Sequence, residues 1–233
     1  TVVLLACVGG GNAHAQIDTI RLSFKALTID DGLSQGMVSS IAQDKYGFLW
    51  FATKDGLDRY DGYTFTSYNH DPQDSTSMSG NAVNALHIDR FDRLWVGTNN
   101  GIDLFDPITE QFIHLPIRYP GGNWGPVGSI ALDTHGDLWV SSNKAWVKVT
   151  FEKAIAPNRP LPAFTQQWHE GSFTFVQLSD SSLWGSTSQA VLRVTPEHDG
   201  SDVFDTLPRA PSVDPRYGGS HIRFIEDPVR NIT

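Results

Sequence analysis

The stretch Ile41-Ala-Gln-Asp-Lys-Tyr-Gly-Phe-Leu-Trp-Phe-Ala-Thr-Lys-Asp-Gly-Leu-Asp-Arg-Tyr-Asp61 decides the fold of this chain, because the chain repeats it. It returns as Leu86-His-Ile-Asp-Arg-Phe-Asp-Arg-Leu-Trp-Val-Gly-Thr-Asn-Asn-Gly-Ile-Asp-Leu-Phe-Asp106. A third copy runs as Ile130-Ala-Leu-Asp-Thr-His-Gly-Asp-Leu-Trp-Val-Ser-Ser-Asn-Lys-Ala-Trp-Val-Lys-Val149, and a more degenerate fourth from Phe175 through Leu183-Trp184 to Val194. The anchors Trp50, Trp95, Trp139 and Trp184 thus recur at about 45 residues, the period of a four-stranded propeller blade. Seven positions after each stands Leu57, Ile102, Trp146 or Val191, so a second apolar position keeps the same phase.

Each copy reads as strands joined by tight turns, since its apolar residues alternate instead of recurring at helical spacing. Asp44-Lys-Tyr-Gly47 and Asp133-Thr-His-Gly136 carry Asp for local capping and Gly for a positive φ. Asp92 takes that glycine's place in the second copy, which Asp tolerates at moderate strain. Lys54-Asp55-Gly56 and Asn99-Asn100-Gly101 have the chemistry of hairpin turns, and Ala145 and Ala190 predict a different turn type in the later copies. Segments opening on Phe65, Phe112, Phe164 and Phe204 supply a fourth strand to each unit. The expected fold is all-β, a propeller of four-stranded antiparallel blades forming an incomplete ring, with about four and a half blades present. Its blades span 29–68, 78–115, 123–168 and 172–207, a fifth starts over 220–233, and 20–28 reads as a closing outer strand. The four anchoring tryptophans would pack between neighbouring blades.

The motif of Asp, Gly, Leu-Trp, Gly-Thr and Gly-Leu at these spacings, with Gly32-Leu33-Ser34 before it and Arg59-Tyr60-Asp61-Gly62 after, resembles the two-component regulator propeller repeat. The likeness covers residues 20 to 233 and is closest over 27 to 107; Ser141 and Ser186 depart from it where Gly97 stands. It implies the extracytoplasmic sensor region of a bacterial hybrid histidine kinase or a propeller-linked diguanylate cyclase. This chain would then be a periplasmic ligand-sensing propeller, the extracytoplasmic part of an inner-membrane protein. It would pass a signal to an output module outside this stretch and reach the membrane only through segments outside it. A homodimer is expected in the full-length protein. The alternatives are a free periplasmic propeller that scaffolds a protein partner and, third, a propeller carbohydrate-active enzyme.

A net charge of −9 argues against nucleic acid, whose phosphates require a basic surface, and against anionic lipid. With 39% apolar and 11% aromatic residues the chain can bury a sizeable core. Residues 1–15 read as a signal peptide remnant: Val2-Val-Leu-Leu-Ala-Cys-Val8 is apolar and Ala13-His14-Ala15 suits cleavage before Gln16. Leu4-Leu5-Ala6-Cys7 is the competing reading, a lipobox with Cys7 lipidated. The domain proper is 16–233, and it opens and ends as a fragment would. Cys7 is the only cysteine, so the mature domain has no disulfide.

No catalytic residue, metal site or cofactor is expected. The eight histidines lack metal-ligand spacing, and Asp55, Asp58 and Asp61 are three apart, unlike a calcium loop, and read as turn-formers. The aspartates occupy turn positions, so the facing carboxylates of a glycosidase are not indicated. In an antiparallel blade the turns between second and third strands share one face with the connections between blades. That face collects Lys54, Asn100 and Lys144, together with Trp124, a tryptophan outside the repeat pattern. Amides and amines around an aromatic suit a carbohydrate or another small polar ligand, so these four residues are the candidate ligand site.

Overall fold

Alternating side chains between capped turns produce short strands of four to seven residues throughout. The computed structural model describes residues 26–153, 155, 161–178, 180–187, 190–197 and 201–208. The first blade holds β1 (Val38–Gln43), β2 (Leu49–Thr53), β3 (Gly56–Tyr60) and β4 (Phe65–Tyr68). The second holds β5 (Val83–Ile88), β6 (Leu94–Thr98), β7 (Ile102–Asp106) and β8 (Gln111–Leu115). The third holds β9 (Val127–Leu132), β10 (Leu138–Ser142), β11 (Ala145–Phe151) and β12 (Phe164–Glu170). The fourth holds β13 (Thr174–Gln177), β14 (Leu183–Ser186), β15 (Ala190–Thr195) and β16 (Val203–Pro208). Each set forms one antiparallel sheet in chain order, and the first strands β1, β5, β9 and β13 touch in succession. The fold is an all-β propeller with an incomplete ring. Among the described residues the only helical element is the 3-10 turn Ile29–Asp31, capped by Thr28. The expected leader, most of the closing strand over 20–28 and the start of a fifth blade lie outside the described residues.

The anchors explain why the blades pack. Trp50 joins Leu94, Val96, Phe105 and Phe112 of the second blade; Trp139 joins Phe175, Leu183 and Val194 of the fourth. Trp95 likewise lies in one cluster with Ile130, Leu132 and Val140 of the third. Each indole N–H donates to the carboxylate that caps its own first turn: Trp50 to Asp44 at 3.0 Å, Trp95 to Asp89 at 3.0 Å, Trp139 to Asp133 at 2.8 Å. The other oxygen of that carboxylate takes turn amides, in the first blade those of Tyr46 and Phe48, both at 3.0 Å. One Asp therefore fixes both the turn and the ring that fills the gap to the next blade. Trp184 differs: it is half-buried, and its N–H meets Ser182 across a shorter turn. Gly97 is small because the next blade lies on it; a Cβ there would stand 2.5 Å from Val127. Ser141 occupies the matching place in the third blade and uses its hydroxyl, at 2.6 Å from that of Ser129, which in turn accepts from the Phe175 amide.

The turns bear out one expectation and refine another. Asp92 does adopt positive φ, 60°, in place of glycine. In the turns between second and third strands, however, Gly56 has positive φ (126°) and Gly101 does not. The feature these turns share is a hydroxyl: Thr53, Thr98 and Ser142 each accept a turn amide and donate back to a turn carbonyl. The Thr187 hydroxyl accepts the Ala190 amide at 3.0 Å. The hydroxyl caps the turn in each blade, and Ala is accommodated in blades three and four because its position there does not take positive φ.

Candidate functional site

The face carrying the connections between blades is held by a polar bracket in blades one and two. Asp58, read from the sequence as a turn-former, is fully buried on β3. It accepts from the Ser34 amide at 2.9 Å, the Ser34 hydroxyl at 2.6 Å and the Ser67 hydroxyl at 2.5 Å. Asp103 repeats this on β7, accepting from the Ser79 amide and hydroxyl at 2.8 and 2.9 Å and facing His114 Nδ1 at 2.7 Å. His114 Nε2 lies 3.0 Å from the Ser75 carbonyl, and the bond to Asp103 raises the pKa of this histidine. The bracket pins the segment entering each blade onto the third strand.

Blade three has the same positions filled otherwise. Trp124 follows Ser79 at the interval by which Ser79 follows Ser34; Val147 replaces the aspartate, and Trp168 is its cross-strand partner. Trp124 and Trp168 meet edge to face at 5.1 Å and 90°. With 7% exposure, Trp124 is part of the core and not an open platform for a ligand.

Above it lies a concavity of about 630 Å³, whose lining includes Asn99, Asn100, Arg118, Tyr119, Asn123 and Trp124. It forms where the turn after β6 meets the connection from β8 to β9. That connection is stitched to β12, the Gln166 amide donating to the Arg118 carbonyl at 3.0 Å and accepting from the Arg118 N–H at 3.3 Å. Tyr119 packs on Trp168 at 5.0 Å, and Gly121 leaves room for its ring, since a Cβ there would stand 2.6 Å from it.

Of the four candidate residues, Asn100 and Trp124 line this concavity. Lys144 stands beside it, donating from Nζ to the Asn123 carbonyl at 3.0 Å. Lys54 does not join them. Its ammonium donates to Asn84, the bulged residue of β5, and clips blade one to blade two. Tyr119, Arg118 and Asn123 were absent from the sequence-based set; their place in the connection after β8 carries no repeat signal. Among the described residues no three His, Cys, Asp or Glu side chains are grouped to hold a metal ion.

The profile of the family described as two component regulator propeller matches residues 32–55 and 77–100, each match running from the pinned entry segment to the turn after the second strand. Two stretches of the chain match two-component regulator propeller repeats. A stretch of 56 residues, 24% of the chain, is 55% identical to "Histidine kinase P4" of Formosa agariphila, and spans only 4% of that protein. Virginiamycin B lyase from Staphylococcus aureus superposes with a TM-score of 0.51 at 16% identity, over 72% of this chain and 55% of that one. PorZ, an essential surface component of the type-IX secretion system of Porphyromonas gingivalis, also gives 0.51 at 16% identity, over 67% of this chain and 24% of that one. At such identity these two structures show a likeness of fold alone.

Proposed function

We propose that this propeller is the extracytoplasmic ligand-sensing part of a membrane-bound signal-transduction protein, with a histidine kinase or diguanylate cyclase module elsewhere in that protein. The observation that carries this reading is the pair of two-component regulator propeller repeats, supported by the 55% identical stretch in a histidine kinase. Among the described residues no helix is long and apolar enough to cross a membrane. The sensing site is the concavity above Trp124. Its three asparagines, Arg118 and Tyr119 offer donors, acceptors and a ring edge without a cluster of like charge. Such a lining suits a neutral polar molecule, with a carbohydrate the first class to try. In this reading Trp124 and Trp168 are the floor that holds Tyr119 in place, and the amides make the contacts.

Calorimetric titration of neutral oligosaccharides against the complete extracytoplasmic region tests it. Tyr119→Ala and Asn100→Ala should each weaken a verified ligand by about tenfold, the equivalent of about 1.4 kcal/mol. A ligand that binds both variants as it binds the wild type removes this concavity from the reading.

A further inference from the structure

The opposite face of the ring carries a second concavity, between the first turns of blades one and two, and it has different chemistry. It encloses about 550 Å³, within the range of about 300–1,000 Å³ that small-molecule sites occupy. Its floor includes Trp50, Leu104, Phe105 and Ile113, and Tyr46, Phe91 and Ile108 stand at its mouth. Those three are 70%, 56% and 72% exposed, so the core does not use them. Large apolar side chains gathered around one opening mark a surface that takes a guest.

The charges around the cleft narrow the guest. Lys45 pairs with Asp92 at 3.1 Å, Arg59 with Glu110 at 2.9 Å and Arg93 with Asp89 at 2.7 Å. Asp44 and Asp106 of the same lining are also engaged, Asp44 by the Trp50 N–H and Asp106 by the Ile108 amide and the Thr109 hydroxyl. A charged guest would have to compete with one of these partners, whereas a neutral guest leaves them in place. The guanidinium groups already lie over rings, Arg59 at 5.2 Å from the centre of Phe48 and Arg93 at 4.8 Å from that of Phe91. Planar cations with their charge compensated still present faces that favour a π system. We infer that the cleft between blades one and two binds an uncharged planar aromatic small molecule, gripped by Tyr46, Phe91 and Ile108 at the mouth and by the faces of Arg59 and Arg93. The site is separate from the amide-lined concavity and does not rest on the sensing role proposed for it.

The probe is N-phenyl-1-naphthylamine, titrated into the chain while its fluorescence and the methyl resonances of Ile88 and Ile113 are followed. Saturable binding that shifts both methyls is expected. Phe91→Ser combined with Ile108→Ser should weaken it by about tenfold or more, a loss of about 1.4 kcal/mol. Both positions are exposed, so an unchanged melting temperature should confirm that this variant keeps its fold. Tyr63→Ser, at an 88% exposed residue outside the cleft, should bind as the wild type does. The anionic 8-anilino-1-naphthalenesulfonate should bind more weakly than the neutral probe. Unsaturable binding, silent methyls, no effect of the double variant, or an equal loss in Tyr63→Ser would overturn the site. Equal affinity for the anion would overturn the assignment of an uncharged guest.

Discussion

Blades one and two pin their entry segments with a buried carboxylate, and blade three pins its own with two indoles. In the first two, Asp58 and Asp103 are fully buried and each is met by a serine's amide and hydroxyl and by a polar side chain of the fourth strand. In the third, Trp124, Val147 and Trp168 hold all three corresponding positions, and Val147 is fully buried as well. None of these three blades mixes the two solutions; blade four, where Leu192 faces Thr206 across the sheet, follows neither. A carboxylate out of water is tolerable only with its donors in place, and a donor left facing valine would be as badly off. Across blades one to three the three positions change together. The exchange has a consequence for the surface: the aromatic version supplies the floor beneath the amide-lined concavity, where the polar version supplies only a closed bracket.

Breaking that unit in blade three should have the largest effect. Val147→Asp places a carboxylate against Trp124 and Trp168, where the unpaired Trp168 indole N–H is one donor in place of the three that Asp58 has, and should cost about 3–5 kcal/mol, read from the midpoint of urea unfolding. Adding Trp124→Ser and Trp168→Ser to the same chain should cost less than that pair costs in the wild-type background. If the triple variant is less stable than the single one by the sum of its parts, the three positions are independent and the comparison fails.

A smaller effect is expected from removing the carboxylate in blade two. Asp103→Val leaves the Ser79 amide and hydroxyl and His114 facing an apolar group, and should cost about 1–3 kcal/mol in the same measurement. A neutral result would mean that those groups find other partners easily.

The subtlest difference separates blade one from blade two, because Ser67 cannot titrate and His114 can. Asp103 raises the His114 pKa above its ordinary 6.5, so the folded state holds this proton more tightly than the unfolded chain does. The stabilisation is complete below pH 6.5 and is lost as pH rises through the folded value. His87 acts in the opposite sense: burial pushes its pKa down to about 4, so it withdraws stability as pH falls from 6.5 toward that value. Melting followed across this range should show a decline on the alkaline side that His114→Ser abolishes and one on the acid side that His87→Gln reduces. An alkaline limb that survives in His114→Ser would place its origin elsewhere.

Much of the fold was legible because its signals are local. Asp44, Asp89 and Asp133 each stand six residues before a tryptophan, and that spacing carries both the turn and the ring. The bracket was not legible. Asp55, Asp58 and Asp61 look alike in the sequence; in the fold Asp61 caps a turn, at 2.7 Å from the Tyr63 and Thr64 amides, and Asp58 is buried. Strand alternation distinguishes inward from outward positions, but it does not say that an inward aspartate has a serine waiting 24 residues earlier. Lys54 was misgrouped for a related reason. A turn position puts its side chain on a face, and the neighbouring bulge at Asn84 decides where the ammonium goes.

The sequence by itself determined the period, the strands, their antiparallel order and the capped turns, since each depends on residues within one blade. It also determined that the anchoring tryptophans need neighbours, because a single four-stranded sheet has no interior for them. Only the tertiary structure decided what lies between blades. Trp124 became a floor and not a platform because β12 places Trp168 beneath it. The apolar cleft exists because Tyr46 of one blade and Ile108 of the next approach across a gap that no local pattern encodes. Packing between repeats depends on side-chain size and charge at positions far apart in the chain, and those are the terms that a repeat pattern averages away.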